Sequence, residues 1–272
     1  MKSEIDVQFI NKISYPDFVG LINQWNVLPG ALSTISEWVV FSKMDAKSYI
    51  LEVACTTGFS SRELAQLTGC SGIAYDLSNH SVHMANYNKQ HFAKGININY
   101  IQADGYEFTS KKNFSHIVIG ASLKFFPDPK KILANNIEML CDEGYILASP
   151  FFTVCDIPKN KLAEAKKIFG ITPTVEKYKE IMKIYKGLEI VYESRKSIFQ
   201  ETEEEMQHYT ESTVNRACKM LGIKDNKVKT AMYNRLLNIK RMSNDLRPYQ
   251  NYTVLVLRYR KNIYPNRYIE LF

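Results

Sequence analysis

Three turns of this chain carry residues whose types and spacing could do chemistry. The first, residues 52–58, joins an acidic residue, Glu52, to a run of small residues that ends at Gly58, and small residues let a backbone pass close to a ligand. Asp76 ends the next apolar run, where a carboxylate can accept both hydroxyls of a ribose. Asp104 follows a third run, where a carboxylate can accept from an exocyclic amine such as that of adenine. Together the turns predict a site for a nucleoside-containing ligand.

The elements that must position these turns are strands that alternate with helices. Apolar runs predict strands over residues 48–54, 72–75, 96–102, 115–120, 144–149, 188–194 and 252–259. Helices are predicted between strands over residues 59–68, 79–92 and 129–141, which implies parallel crossovers. The predicted fold class is therefore α/β, a Rossmann-like, doubly wound and mainly parallel sheet of seven strands. In such sheets ligands bind outside the carboxyl ends of the strands.

Two helical regions flank the predicted sheet. Residues 5–41 carry apolar residues at helical spacing, broken at Pro29-Gly30, and residues 203–246 look helical throughout. The second region is too long for a simple connection, so it is interpreted as a lid inserted before the last strand. The whole chain, residues 1–272, is predicted to be one domain, with an N-terminal helical cap (1–45), a ligand-binding core (46–150), the lid (201–250) and a final strand (252–260).

Five segments resemble, in order and spacing, the class I methyltransferases that use S-adenosylmethionine (SAM): ILEVACTTGFSS, GIAYDLS, IQADGYEF, HIVIGASLKFFPDP and GYILASP. The likeness is close over residues 49–150 and loose at the final strand. It departs from the family in the first motif, an acidic residue followed by GxGxG, because Ala54 and Thr56 replace the first two glycines. It also departs at His116, since the family often begins the fourth strand with Asp.

The resemblance implies SAM as cofactor, S-adenosylhomocysteine (SAH) as product, and a set of binding residues. Near the methionine part and the sulfonium it implies Glu52, Ala54, Cys55, Thr56, Gly58, Gly120, Ala121 and Phe125. At the ribose and adenine it implies Asp76, Leu77, Asp104 and Gly105. In some small-molecule members a Tyr and a Pro-Gly turn close over SAM, and Tyr15 and Gly30 would correspond to them.

Substrate and catalytic residues are harder to assign, because methyl transfer from a sulfonium mainly requires alignment of acceptor, methyl and sulfur. His208 and Tyr209 of the predicted lid could reach the acceptor as base or donor, or could be ordinary lid packing. Trp25, Phe151 and Phe152, with His208, could wall an apolar substrate pocket, and core packing explains the aromatics equally well.

Length, composition, net charge and cysteine count narrow the class of protein further. The chain has 272 residues, 45% of them hydrophobic, and a formal net charge of +7. Lys and Arg are dispersed, so a nucleic-acid partner is not favoured, and a homodimer stays open. Five cysteines without CxxC spacing indicate neither a disulfide framework nor a metal site. No segment predicts a membrane span, and a reducing cytoplasm fits best.

Several functions remain open at this stage. The first is methyl transfer to O, N, S or C of a small molecule. The second is a SAM-binding regulatory or partner protein without transferase activity, which the altered glycine loop motivates. The third is RNA or protein methylation, which the positive charge motivates, although residues 120–123 do not form the Asn/Asp-Pro-Pro-Tyr typical of amino-methylating nucleic-acid enzymes. A nicotinamide-dependent dehydrogenase is disfavoured, because its GxGxxG fingerprint is absent from residues 52–58.

Overall fold

A central sheet organises the computed structural model, which describes residues 5–265. Its strands run in the order β3-β2-β1-β4-β5-β8-β7, with β1 to β5 parallel and β8 antiparallel to β5 and to β7. The strand bounds are β1 Tyr49–Val53, β2 Ser71–Asp76, β3 Asn97–Gln102, β4 Phe114–Gly120, β5 Leu140–Ala148, β6 Phe151–Thr153, β7 Glu189–Ser197 and β8 Gln250–Arg258.

Strands β5 and β6 share one side of β8. Strand β5 pairs with residues 255–258 of β8, and β6 pairs with residues 250–252. Between them Thr253 donates its backbone N–H to the carbonyl of Pro150 at 3.1 Å. The two therefore form one strand position interrupted around Pro150, whose nitrogen carries no hydrogen to donate. Over residues 5–265 the sheet has seven strand positions, as predicted, and the short β6 was not expected.

Helices cover both faces of the sheet. One face packs against α3, α4 and α5 through buried residues that include Ile35, Trp38 and Leu64. The other packs against α6 and α8 through residues that include Ile132 and Ile181. The bounds are α1 Val7–Lys12, α2 Tyr15–Leu21, α3 Ala31–Phe41, α4 Phe59–Thr68, α5 Asn79–Phe92, α6 Pro129–Glu138, α7 Lys159–Phe169, α8 Tyr178–Met182, α9 Glu203–Leu221 and α10 Asn226–Leu246. No helix within residues 5–265 is both long and apolar enough to cross a membrane.

A separate apolar cluster joins the N-terminal helices to the helical insertion before β8. Phe18 of α2 belongs to it together with Val214 of α9 and Met232 of α10. The expectation of continuous helix over residues 203–246 is wrong, because α9 ends at Gly222, which adopts a left-handed φ of 70°. Such a glycine is the commonest way to end a helix, and Asp225 then caps the first turn of α10. The insertion is therefore a helical hairpin.

Candidate active site

The loop after β1 keeps the backbone of a glycine-rich turn although two of its three glycines are replaced. Ala54, Thr56 and Gly58 have φ values of 53°, 50° and 76°. A left-handed conformation costs a non-glycine residue about 1–2 kcal/mol, and a β-branched residue such as Thr56 is rarely found there. Backbone bonds hold the loop in place, from Cys55 N–H to the Tyr75 carbonyl at 2.9 Å and from Gly58 N–H to the Cys55 carbonyl at 2.8 Å.

Gly58 is the one glycine of the motif that the chain retains, and its surroundings explain why. A Cβ at Gly58 would lie 2.6 Å from the ring of Tyr100. The Tyr100 hydroxyl donates to the Gly58 carbonyl and accepts from the Ser61 hydroxyl, each at 3.2 Å. Tyr100, on β3, therefore supports the loop from inside the core, and no sequence motif marked it.

Glu52 lies beneath the same loop instead of facing solvent. Its Oε2 accepts from the backbone N–H of Ser61, in the first turn of α4, at 3.1 Å. Burial raises the pKa of Glu52 to about 7, although the hydrogen bonds from Ser61 favour the charged form. Glu52 therefore caps the N-terminus of α4. The N–H groups of Phe59 and Ser60 in that turn have no partner within residues 5–265.

Asp76 is fixed where the ends of β1 and β2 meet. Its two carboxylate oxygens accept from the backbone N–H groups of Thr56 and Ser78, each at 2.8 Å. Burial raises the pKa of Asp76, while the N–H groups of Ser78 and Thr56 favour the charged form. The Ser78 hydroxyl also donates to Asp17 of α2 at 2.5 Å. The carboxylate is therefore oriented by its own turn, by the loop after β1 and by the N-terminal cap.

The turns after β2, β3 and β4 add apolar and polar groups at the same end of the sheet. Leu77, after β2, is 67% exposed, and Phe125, after β4, is 47% exposed. One oxygen of Asp104 accepts from Tyr106 N–H at 2.8 Å, as in a simple turn, and no bond occupies its other oxygen among residues 5–265. The N–H of Gly105 has no partner within that part of the chain either.

The turn after β4 lies under the N-terminal segment. Gly120 has a φ of 57° and accepts from Ser149 N–H at 2.7 Å, and half-buried Ala121 follows it. A Cβ at Gly120 would touch Leu28 at 3.4 Å. Residues 22–30, between α2 and α3, thus pass over the carboxyl ends of β1 and β4.

Buried amides tie this segment to the loop after β1. Asn23 and Asn88 exchange two side-chain hydrogen bonds of 2.8 Å, and Asn88 also donates to the Thr57 carbonyl at 3.1 Å. The Thr57 hydroxyl donates to the Gln24 carbonyl at 2.7 Å. These contacts make residues 22–30 part of the candidate site.

Arg62 is a second residue that the sequence analysis missed. Its side chain is buried, donates to the Thr57 carbonyl at 3.3 Å and lies 4.0 Å from the ring centroid of Trp25. Its position three residues after Phe59 and three before Ala65 placed it on the apolar face of α4, which was the available signal. Arg62 covers one side of the Trp25 ring. Phe92 packs edge-on against Trp25, with the two ring centroids 5.2 Å apart.

Tyr15 and Gly30 lie at two different places in the cap. Tyr15 begins α2 and packs edge-on against Phe169 at 5.5 Å, and burial together with nearby Tyr209 raises the pKa of Tyr15 to about 12. Gly30 precedes α3 with a φ of 75°, and a Cβ there would lie 2.5 Å from the Tyr252 hydroxyl.

The structure places the substrate and catalytic candidates in separate surroundings. Phe151 and Phe152 are neighbours on β6 and belong to the cores on opposite faces of the sheet, so they cannot wall one pocket. Trp25 is packed by Arg62, as described. His208 is exposed on α9, away from the buried face of that helix, and Tyr209 is half-buried under the ammonium of Lys240, 4.5 Å from its ring centroid.

Comparisons with known proteins agree with this geometry. Residues 50–144 match the family model described as a methyltransferase domain. The MccD protein structure has a TM-score of 0.69 at 24% identity, covering 86% of this chain and 100% of that one. A SAM-dependent methyltransferase from Geobacter sulfurreducens, in complex with SAH, has a TM-score of 0.67 at 13% identity, covering 90% and 98%. Phosphoethanolamine N-methyltransferase 2 from Haemonchus contortus, in complex with phosphomonomethylethanolamine and SAH, has a TM-score of 0.65 at 14% identity, covering 92% and 61%. A search of curated proteins gave no significant match.

The fold and the matched segment define the class of protein. Residues 50–144 match a methyltransferase domain, and the overall fold is shared with the similar structures. The recognition of a class I SAM-dependent methyltransferase is confirmed, and with it the expectation of an enzyme of this type.

Proposed function

We propose that the chain transfers a methyl group from SAM to a small-molecule acceptor. The observation that carries the proposal is the Asp76 carboxylate, held by Thr56 and Ser78 N–H groups at the carboxyl end of the sheet. A carboxylate fixed there suits the two ribose hydroxyls of a nucleoside. The matched methyltransferase domain makes SAM the nucleoside of choice.

The neighbouring groups fit the rest of this cofactor. The free oxygen of Asp104 and the N–H of Gly105 suit the amine and a ring nitrogen of adenine. Exposed Leu77 and Phe125 offer apolar surface for the ring faces. The unpaired N–H groups at the start of α4 suit the carboxylate of the methionine part, because a helix N-terminus favours negative charge.

Bound SAM supplies a methyl group on a positively charged sulfur. The chain's own residues then have to align the acceptor with that methyl group and keep water away. Leu28 over Gly120 and the Thr57–Gln24 bond close the side of the site that faces the N-terminal cap. A base is needed only if the acceptor loses a proton, and with His208 exposed on α9 the structure offers no strong candidate for one among the residues named.

Two observations support a small acceptor. Residues 22–30 pass over the carboxyl ends of β1 and β4, a cover that suits a small acceptor better than a macromolecular surface. The Haemonchus enzyme of the same fold is a phosphoethanolamine N-methyltransferase. A SAM-binding protein without transferase activity is the second candidate, and the replacement of two loop glycines by Ala54 and Thr56 favours it.

Calorimetric titration with SAH tests cofactor binding. We expect the Asp76→Asn variant to bind SAH at least about tenfold more weakly, since it loses a charge-assisted acceptor. Glu107→Gln is the matched control, because Glu107 is exposed in the same region. Unchanged affinity in Asp76→Asn would refute the site.

Incubation with SAM and a panel of metabolites, followed by mass spectrometry of SAH, tests turnover. Methyl transfer to a metabolite supports the proposal. Tight SAM binding without turnover on metabolites, RNA or protein would instead support the second candidate.

A further inference from the structure

A cavity of about 370 Å³ lies between α5 and the end of α9, beside the segment of residues 22–30. Asn23 is the one lining residue that it shares with the candidate active site, and none of the others lies in residues 22–30 or in the turns after β1, β2, β3 or β4. Its lining combines cationic, aromatic, thioether and amide groups, from Asn23, Tyr87, Phe92, Arg216, Lys219 and Met220.

The cavity is positively charged without compensating acids. Arg216 and Lys219 lie three residues apart, on one face of α9. Neither makes an ion pair with any other residue of 5–265. Helix α5 contains no Asp or Glu, and α9 contains none from Thr213 onward. Arg216 uses one nitrogen to donate to the Asn23 carbonyl at 2.9 Å, which fixes the guanidinium and leaves its other N–H groups for a ligand.

The opposite wall of the cavity is aromatic and partly uncovered. The rings of Tyr87 and Phe92 are inclined at 64° with their centroids 6.4 Å apart. Phe92 is 52% exposed although its edge packs on Trp25. Met220 adds a thioether, which makes favourable contacts with aromatic rings. A ligand filling the cavity would therefore meet aromatic surface at one end and two cations at the other.

We propose that this cavity binds a small aromatic anion, a ring that carries a phosphate or a carboxylate. The guanidinium of Arg216 can bind either anion through two parallel hydrogen bonds, and Lys219 adds a point charge. The ring then packs against Tyr87 and Phe92 in an edge-on or offset arrangement. The volume lies at the lower end of the range for small-molecule sites, so one small molecule fits and a longer chain does not.

Titration of the full chain with 1-naphthyl phosphate tests the site. We expect saturable binding at one site, with inorganic phosphate and 1-naphthol each at least about tenfold weaker, because each lacks one half of the recognition. 1-Naphthoate distinguishes the two anions. Lys219→Met and Phe92→Leu should each weaken binding of 1-naphthyl phosphate about tenfold. Lys224→Met, which removes the same charge from the loop after α9, should leave it unchanged.

Three results would overturn the proposal. The first is binding of 1-naphthyl phosphate that does not saturate, or that neither Lys219→Met nor Phe92→Leu weakens. The second is inorganic phosphate that binds as tightly as 1-naphthyl phosphate, which would define a plain anion site. The third is displacement of 1-naphthyl phosphate by SAH, which would place it in the cofactor site. Because binding is measured without turnover, the test is independent of the proposed methyl transfer.

Discussion

Replacing Thr56 by glycine should stabilise this protein, although glycine substitutions usually destabilise. Thr56 has a φ of 50°, and the left-handed conformation costs about 1–2 kcal/mol for a residue with a Cβ. Glycine removes that cost but adds about 0.4–1 kcal/mol of unfolded-state entropy. The difference of the mid-range values predicts a net stabilisation of about 0.8 kcal/mol. The Asp76 carboxylate keeps its bond, because the Thr56 donor is the backbone N–H.

Urea unfolding of the parent and the Thr56→Gly variant measures this difference as a shift in the midpoint at constant slope. With a slope of about 2 kcal/mol per molar, the midpoint should rise by about 0.4 M. Thr57→Gly is the matched control, because Thr57 is not in the left-handed region and its hydroxyl is bonded to Gln24. It should lower stability by about 1–2 kcal/mol. If Thr56→Gly lowers stability as much as Thr57→Gly, the loop is not strained at Thr56.

Three further predictions follow from buried contacts. Burial lowers the pKa of His116 to about 4, so the unfolded chain takes up a proton that the folded chain does not, and stability should fall by about 3 kcal/mol as the pH drops from 6.5 to 4. The His116→Gln variant should lose that part of the pH dependence in urea titrations, and an unaltered profile would contradict it. Asn23→Ala and Asn88→Ala should each lower the free energy of unfolding by about 1–3 kcal/mol. Thermal melts of a double-mutant cycle should show that the two losses do not add. Additive losses would mean that the two amides act separately. Gly20→Ala should destabilise by about 1–3 kcal/mol, against the usual gain for alanine in a helix, since its Cβ would lie 2.6 Å from the Ser81 backbone nitrogen; a raised melting temperature would show that α2 and α5 can separate freely.

The sequence predicted the parts of the fold that are set by local pattern. The buried parallel strands are short apolar runs, and the predicted starts and ends lie within a few residues of β1 to β4. Strand β5 begins at Leu140, four residues before the predicted start, because Asp142 and Glu143 interrupt its apolar pattern. Strand β6 was missed because three residues are too few to show a period. The helix break at Gly222 was missed because one glycine inside a helical pattern is a weak signal.

In the candidate site too, residues set by local pattern could be predicted and residues set by tertiary packing could not. Asp76 and Asp104 could be placed at strand ends from the sequence alone, and the structure brings their turns to the same end of the sheet. The partners of the loop could not be found, since Tyr100 meets Gly58 across 42 residues and Asn88 meets Asn23 across 65. Such pairs depend on tertiary packing. Phe151 and Phe152 were grouped by composition, whereas strand geometry turns neighbouring side chains to opposite faces.

The bonds that join Gln24 and Asn23 to Thr57 and Asn88 have a consequence for the rate at which the site can be emptied. If residues 22–30 cover bound SAH, its release requires these buried hydrogen bonds to break together. An acceptor that is already bound needs no such opening to react. We expect the escape of SAH to be slower than the chemical step, so that the first turnover produces a rapid burst of product before the steady rate is reached. A linear time course from the first turnover would show that the segment opens freely.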